Sequence, residues 1–299
     1  MFLRITTLLA LSVASLLAAE NNLKWTALPD LPGGLGVAGP FVGVHNDALI
    51  IGGGANFPDG VPWRPTAGGG VSAKVYHDTI HVITRDGDGY SIAEAKAKLP
   101  RTLGYGISVP TADGVLCIGG EWREGSVTHR SAKVFAFGRA DGQVVIDENY
   151  PALPKDTTAS AGALVGETVY VAGGNSGDGA TKNFWALDLA KRGTDDFKWV
   201  ALPPWDGPAR THLLASVQHD GATDCLYIFS GRMKDGDDHW RMLGDAHKFN
   251  PKSGEWKKIH DILPSGDGQP RCVMAGTVAP IGANQLLVFG GANGKRFIT

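Results

Sequence analysis

Cysteine is scarce in this 299-residue chain, and so is charge. The three cysteines are Cys117, Cys225 and Cys272. An odd count excludes a fully paired disulfide framework, and no Cys-x-x-Cys redox or zinc motif occurs. Each cysteine lies in an apolar, strand-like run, which suits a buried thiol; a single disulfide in an oxidising compartment stays open. Charged residues make up only 19% of the chain, too few for long amphipathic helices rich in Glu and Lys. Neither sign dominates: the net charge is −2, and no basic run tracks a phosphate backbone. Nucleic acid and acidic membranes are therefore not expected partners. Long apolar runs are also missing, except at the start. Residues 1–19, MFLRITTLLALSVASLLAA, place Arg4 before an apolar stretch that ends in small residues. This is the grammar of a secretory signal peptide and is short for a membrane anchor. The expectation is an exported protein, periplasmic or secreted, with no membrane span after cleavage and residues 20–299 as one domain.

What the chain has in plenty is glycine, 42 residues, and much of it is periodic. Five strand-like runs end in a small doublet: Gly53-Gly54, Gly119-Gly120, Gly173-Gly174, Ser230-Gly231 and Gly290-Gly291. The second members are 66, 54, 57 and 60 residues apart. Regular spacing on this scale signals a repeat architecture. Each unit opens with a small apolar stretch such as GYGISVPTADG, then the doublet strand, then a polar loop. A third strand follows (DTIHVIT, AKVFAFGR, NFWALDL), and a fourth ends in Leu-Pro (YSIAEAKAKLP, FKWVALPPW). Four short strands per repeat describe an all-β, kelch-type β-propeller. The doublets fit the crowding of inner strands around a central channel.

Four blades read as complete, at about 33–100, 101–154, 155–205 and 206–264, and a fifth has its first two strands at about 270–291. Residues 24–32, KWTALPDLP, match the fourth-strand pattern and are expected to close the ring as an outer strand. A six-bladed plan would leave the domain incomplete on its C-terminal side, past Thr299, by about 70–80 residues.

At this point the residues carry a family likeness. KWTALPDLPGGLGVAGPFVGVHNDALIIGGGANFPDG, LPRTLGYGISVPTADGVLCIGGEWREG and GRMKDGDDHWRMLGDAHKFNPKSGEW resemble kelch-type sialic acid mutarotases, also called N-acetylneuraminate epimerases. The order of these segments resembles a cyclically permuted branch. The resemblance implies six blades, a pocket at one mouth of the channel, no cofactor and no metal, and interconversion of the α and β anomers of N-acetylneuraminic acid. That reaction opens and recloses a hemiketal, so a carboxylate is wanted as general base and acid. The sugar carries its own carboxylate, so Arg is wanted to hold it. The Glu and Arg that the resemblance makes catalytic lie in a Gly-Glu…Arg-Thr motif that no position of this chain matches. On the blade order that the resemblance implies, this motif is expected beyond Thr299.

Candidate ligand contacts follow from position in the repeat. Glu121 directly follows a doublet, where side chains emerge at a channel mouth; the alternative is a solvated loop acid. Arg232 and Asn175 hold the same post-doublet position, and Asn56 sits two residues past its doublet. Arg101, Arg210 and Arg271 open inner strands, facing either the mouth or an inter-blade salt bridge. Asn56 equally suits a turn before Pro58-Asp59-Gly60. His77 and His81 would share a strand face, but two His without further ligands are weak evidence for a metal. Asp86-Gly-Asp-Gly and the loop from Asp235 read as tight or exposed turns rather than calcium loops. Two functions stay open: a mutarotase acting on a carboxylated sugar, or a non-catalytic propeller that binds a glycan or a protein. A copper radical oxidase would need a Tyr–Cys crosslink that nothing in the sequence supports. A homodimer is compatible with either reading.

Overall fold

The computed structural model describes residues 24–66, 68–234, 236, 239–262 and 271–294. The expected signal peptide at 1–19, most of the loop from Asp235 and the last residues to Thr299 lie outside them. Four antiparallel meanders each contain four strands. The first runs through Phe41–His45, Ala48–Gly52, Thr79–Asp86 and Gly89–Lys98. The second uses Ile107–Thr111, Gly114–Ile118, Val134–Ala140 and Gln143–Asp147. The third uses Ala161–Val165, Thr168–Ala172, Phe184–Asp188 and Val200–Ala201. The fourth uses Leu214–His219, Asp224–Phe229, Ala246–Asn250 and Glu255–Lys258. A fifth sheet has two strands, Thr277–Ile281 and Gln285–Phe289. The only helical piece among the described residues is a single 3-10 turn at Leu189–Lys191. The arrangement is a kelch-type β-propeller.

The sheets stack face to face through apolar cores, because strands with alternating or continuous apolar residues bury both faces. Phe41, Ile50 and Ile80 of the first sheet meet Val115, Cys117, Phe135 and Phe137 of the second. Leu116, Ile118 and Val134 meet Val169, Val171, Trp185 and Leu187 of the third. Tyr170 and Phe184 meet Leu226, Ile228 and Phe249 of the fourth, and Leu214 and Phe229 meet Leu286 and Val288 of the fifth. All three cysteines are buried free thiols, so no disulfide forms.

The doublets have a sharper reason than crowding. Both members have positive φ in every repeat, from 61° to 67° at the first and from 86° to 106° at the second. That backbone favours glycine. The turn aims the second N–H of three doublets at the next blade: Gly54 to the Leu103 carbonyl, Gly120 to Thr157 and Gly174 to Arg210, at 2.8–2.9 Å. Ser230 takes the first position at φ 62° and uses its hydroxyl, which accepts the Val273 N–H at 2.8 Å.

The expected closing strand has no strand partner among the described residues: residues 24–30 form no ladder. The segment instead reaches the last sheet by a side chain: Trp25 packs edge-on against Phe289 with centroids 5.4 Å apart. Leu31, Pro32 and Leu35 then line a groove over Thr79, His81 and Glu94 of the first sheet.

Candidate functional site at the channel mouth

One residue at the start of each blade stands in the left-handed region: Gly39, Tyr105, Ala159, His212 and Ala275, with φ between 51° and 61°. Their backbones form a chain of hydrogen bonds from blade to blade. Tyr105 N–H donates to Gly39 (2.7 Å), Ala159 to Tyr105 (2.9 Å), His212 to Ala159 (2.8 Å) and Ala275 to His212 (3.1 Å). Three of these five residues are Gly or Ala. Bulky Tyr105 and His212 in such a backbone are uncommon, and sparsely populated conformations concentrate at functional sites.

Short ribbons rise beside this chain of bonds from the loops that follow the doublets: Ala55–Asn56 with Val75–Tyr76, Glu121–Glu124 with Val127–Arg130, and Arg232–Lys234 with Trp240–Met242. They carry the chemistry. The Tyr76 hydroxyl donates to Glu121 Oε1 at 2.5 Å. Burial and then the Glu121 carboxylate push the Tyr76 phenol well above its ordinary range, so it stays a donor. Tyr105 packs edge-on to Tyr76, and the Lys74 ammonium lies 4.6 Å over the Tyr105 ring. Glu121 and Arg130 are directly opposed in their ribbon, so both side chains emerge on one face. Arg130 Nε is buried with no hydrogen-bond partner among the described residues. Arg232 is half-buried, stacks 4.2 Å over Trp240 and exchanges backbone hydrogen bonds with Thr211. Burial, then the positive charges of Arg232 and Lys74, lower the His212 imidazole to about 4, so it is neutral at pH 7. Its Nδ1 lies 3.2 Å from the Thr211 hydroxyl.

Of the residues singled out by sequence, Glu121 and Arg232 join this cluster. Arg210 does not. Its side chain is 0% exposed and is held by Asp245 (2.5 Å) and the Ser230 carbonyl (3.1 Å), so it cannot meet a ligand. A salt bridge is realised instead of a ligand contact, but within the fourth blade rather than between blades. Arg101 is exposed and stacks 3.6 Å from the Trp122 ring centre. Alternation along the ribbon puts Trp122, and with it Arg101, on the face opposite Glu121. The Asn175 side-chain oxygen accepts the Gly177 N–H at 2.9 Å, a turn role. Asn56 accepts from His77 Nε2 at 2.9 Å and belongs to the groove beneath residues 31–37. Arg271 is exposed, and its N–H donates to the Ile262 carbonyl. The Glu/Arg motif expected beyond Thr299 lies outside the described residues, which run to Gly294, so the cluster at the mouth is built without it. No group of three His, Cys, Asp or Glu able to hold a metal occurs among the described residues, and His77 and His81 gain no third ligand. Lys74, Tyr76, Tyr105 and His212 were missed. Tyr105 and His212 had a legible signal, a large residue in a repeat slot otherwise held by Gly or Ala.

Comparison with known proteins points the same way. A model of the family described as N-acetylneuraminate epimerase matches residues 150–299. An N-acetylneuraminate epimerase of Haemophilus influenzae (strain PittEE) is 29% identical over 146 residues, 49% of this chain and 34% of that protein. Those of Pasteurella multocida (strain Pm70) and Escherichia coli (strain K12) are 31% identical over 144 and 147 residues. The chain spans about a third of the length of these curated relatives. The solved structure of YjhT superposes with a TM-score of 0.70 over 91% of this chain and 82% of that one, at 16% identity, a likeness of fold. His212 and Arg232 lie inside the span matched by the family, whereas Lys74, Tyr76 and Glu121 precede it. No helix of the described residues is long and apolar enough to cross a membrane.

Proposed function

The chain belongs to the N-acetylneuraminate epimerase family, and from that premise we propose that it is an exported mutarotase. Its substrate would be N-acetylneuraminic acid or a closely related carboxylated sugar, and its reaction the interconversion of the α and β anomers. The observation that supports this most directly is the composition of the channel mouth. One carboxylate, Glu121, is held by the Tyr76 hydroxyl and opposed by Arg130. Lys74 and Arg232 bring two further positive charges to the same opening and act together on His212.

The chemistry is proton transfer at two oxygens. Glu121 takes the proton from the anomeric hydroxyl as the bond between the anomeric carbon and the ring oxygen breaks. The protonated Glu121 gives that proton to the ring oxygen, which leaves the open-chain keto form and the carboxylate restored. Reclosure on the other carbonyl face runs the same steps backwards. Tyr76 holds the carboxylate in place, and the cationic rim holds the substrate carboxylate near the reacting carbon. The choice of Glu121 rests on geometry alone. No organic cofactor or metal enters these steps.

The test is proton NMR of the exchange between anomers in the presence of the exported protein. Accelerated exchange is expected, and Glu121→Gln is expected to lower it by about 10²-fold or more. Exchange at the spontaneous rate with wild-type protein sinks the catalytic reading. If the sugar still binds under those conditions, a non-catalytic glycan-binding propeller is the reading that replaces it.

A further inference from the structure

We propose that Lys74 is the anion anchor of the channel mouth: the rings of Tyr76 and Tyr105 hold its ammonium in place without neutralising it, and in the proposed reaction it receives the substrate carboxylate. The proposal rests on the mouth being the sugar site of the proposed function. It adds which residue reads the acid and what positions that residue.

The two rings meet at 73° with centroids 6.2 Å apart, so they form the walls of a corner. The Lys74 ammonium stands in it, 4.6 Å from the centre of the Tyr105 ring and 5.7 Å from that of Tyr76. Both walls are fixed. Tyr76 is 8% exposed and tied to Glu121 at 2.5 Å. Tyr105, at φ 57°, donates its N–H to Gly39 at 2.7 Å, and its carbonyl accepts the Thr158 hydroxyl at 3.2 Å. Its ring rests on bare backbone, because a Cβ on Gly39 would lie 2.6 Å from Tyr105 Cδ1. No ion pair or hydrogen bond engages the Lys74 ammonium among the described residues. The side chain is only half-buried, so a ligand can reach it.

A carboxylate partner would fix the lysine and cancel its charge, as Asp245 does for Arg210. Aromatic faces attract a cation through their quadrupole and leave its charge and its N–H donors to a ligand. They also restrict a long side chain in advance, an entropy cost that binding would otherwise carry. The Lys74 ammonium lies over the same Tyr76 ring whose hydroxyl holds Glu121, so the cation and the proposed base are presented together. In N-acetylneuraminic acid the carboxylate and the reacting hydroxyl share the anomeric carbon. An anchored carboxylate therefore brings that hydroxyl to the base. The corner also gives Tyr105 a reason to occupy, in a left-handed backbone, a slot that three other blades fill with Gly or Ala.

The experiment is calorimetry on the full chain with N-acetylneuraminate, its C1 methyl ester and sulfate. Wild-type protein is expected to bind the acid roughly tenfold or more tightly than the ester. Lys74→Met is expected to bring the acid down to the ester and to lose sulfate, with the ester unchanged. Tyr105→Leu, which keeps an apolar side chain and removes the π face, is expected to lower the acid-to-ester ratio, and Tyr105→Phe to keep it. A ratio or a sulfate affinity that survives Lys74→Met overturns the proposal. So does a Tyr105→Leu variant that loses acid and ester equally, the mark of a structural role. If that variant does not fold, NMR of the wild type decides. The Lys74 Hε protons, assigned by their absence in Lys74→Met, are expected upfield of exposed lysines under the two ring currents and to move with sulfate. Ordinary shifts that sulfate leaves unmoved overturn the proposal. Sugar that binds with the expected ratio but exchanges anomers at the spontaneous rate counts against the catalytic reading alone and supports the anchor. No sugar binding, with sulfate bound by wild type and lost in Lys74→Met, counts against the proposed substrate alone and again supports the anchor. Absence of sulfate binding as well overturns it.

Discussion

Replacing Asp245 with Asn should be among the most destabilising single changes in the molecule. Arg210 is fully buried, and Asp245, 16% exposed, neutralises it at 2.5 Å. His247, 2% exposed, shares the same carboxylate oxygen at 2.8 Å. Burial alone would raise the Asp245 carboxyl. The hydrogen bonds from His247 and Arg210 outweigh it and hold the group well below the usual carboxylate range. The rest of the guanidinium is committed to the Ser230 and Pro208 carbonyls and to the Trp205 ring at 5.4 Å. It cannot turn to water. Asn keeps the shape and one acceptor but leaves an uncompensated buried charge, which costs about 3–5 kcal/mol. At about 2–4 °C per kcal/mol for a chain of this size or somewhat smaller, Tm should fall by roughly 6–20 °C. Calorimetry or circular dichroism would read this. The double change Arg210→Met with Asp245→Asn removes both charges and should recover at least half of the loss. A loss under about 1 kcal/mol for Asp245→Asn, or a double variant less stable than the single one, would refute the reasoning.

Further expectations concern stability and reactivity. His212 titrates at about 4 in the fold against about 6.5 in the unfolded chain, so the unfolded state binds the extra proton. This contribution is complete above pH 6.5 and is lost as pH falls to 4, by up to about 3 kcal/mol; urea midpoints across that window should show it, and His212→Gln should flatten it. Gly174→Ala would bring a Cβ within 1.8 Å of Ser160 Oγ at φ +96°, whereas Gly221→Ala, at φ +100°, meets nothing within 4 Å. The first should destabilise by about 2–4 kcal/mol and the second by about 1, read from the same urea curves. Cys117, Cys225 and Cys272 are all buried, and burial pushes the Cys117 thiol far up. A chromogenic disulfide reagent should find no reactive thiol in the native protein and three after denaturation; rapid native labelling would contradict the buried placement.

Much of the fold was legible because it is written in local, repeated chemistry. The strands Ala48–Gly52, Gly114–Ile118, Thr168–Ala172, Asp224–Phe229 and Gln285–Phe289 all precede a doublet whose positive φ demands small residues. Any chain that needs this turn in every blade must repeat its signature. Residues 24–32 were harder. Their resemblance to FKWVALPPW was real, but Val200–Ala201 pairs with Trp185 and Ala186, whereas 24–30 pair with no strand among the described residues. Similar residues make a strand only where a neighbouring backbone offers a free edge in register.

The site was legible only in part. Arg101 and Arg210 open their blades in nearly the same words, LPRTLG and PARTHL. One lies on the indole of Trp122 at the surface, and the other is sealed against Asp245. Nothing in the opening words distinguishes them, because each partner lies further along its own blade and only the fold brings it back to the arginine. Lys74 likewise reaches His212 only because the blades are arranged around a common channel.

The sequence by itself therefore determined the number and kind of blades described, the turns that join their inner strands and the buried state of the cysteines. These follow from backbone conformation and apolar periodicity, which act over a few residues. Only the tertiary structure decided which charged and aromatic side chains share the mouth, because their fate depends on contacts supplied by other strands, loops and blades rather than by their immediate sequence neighbours.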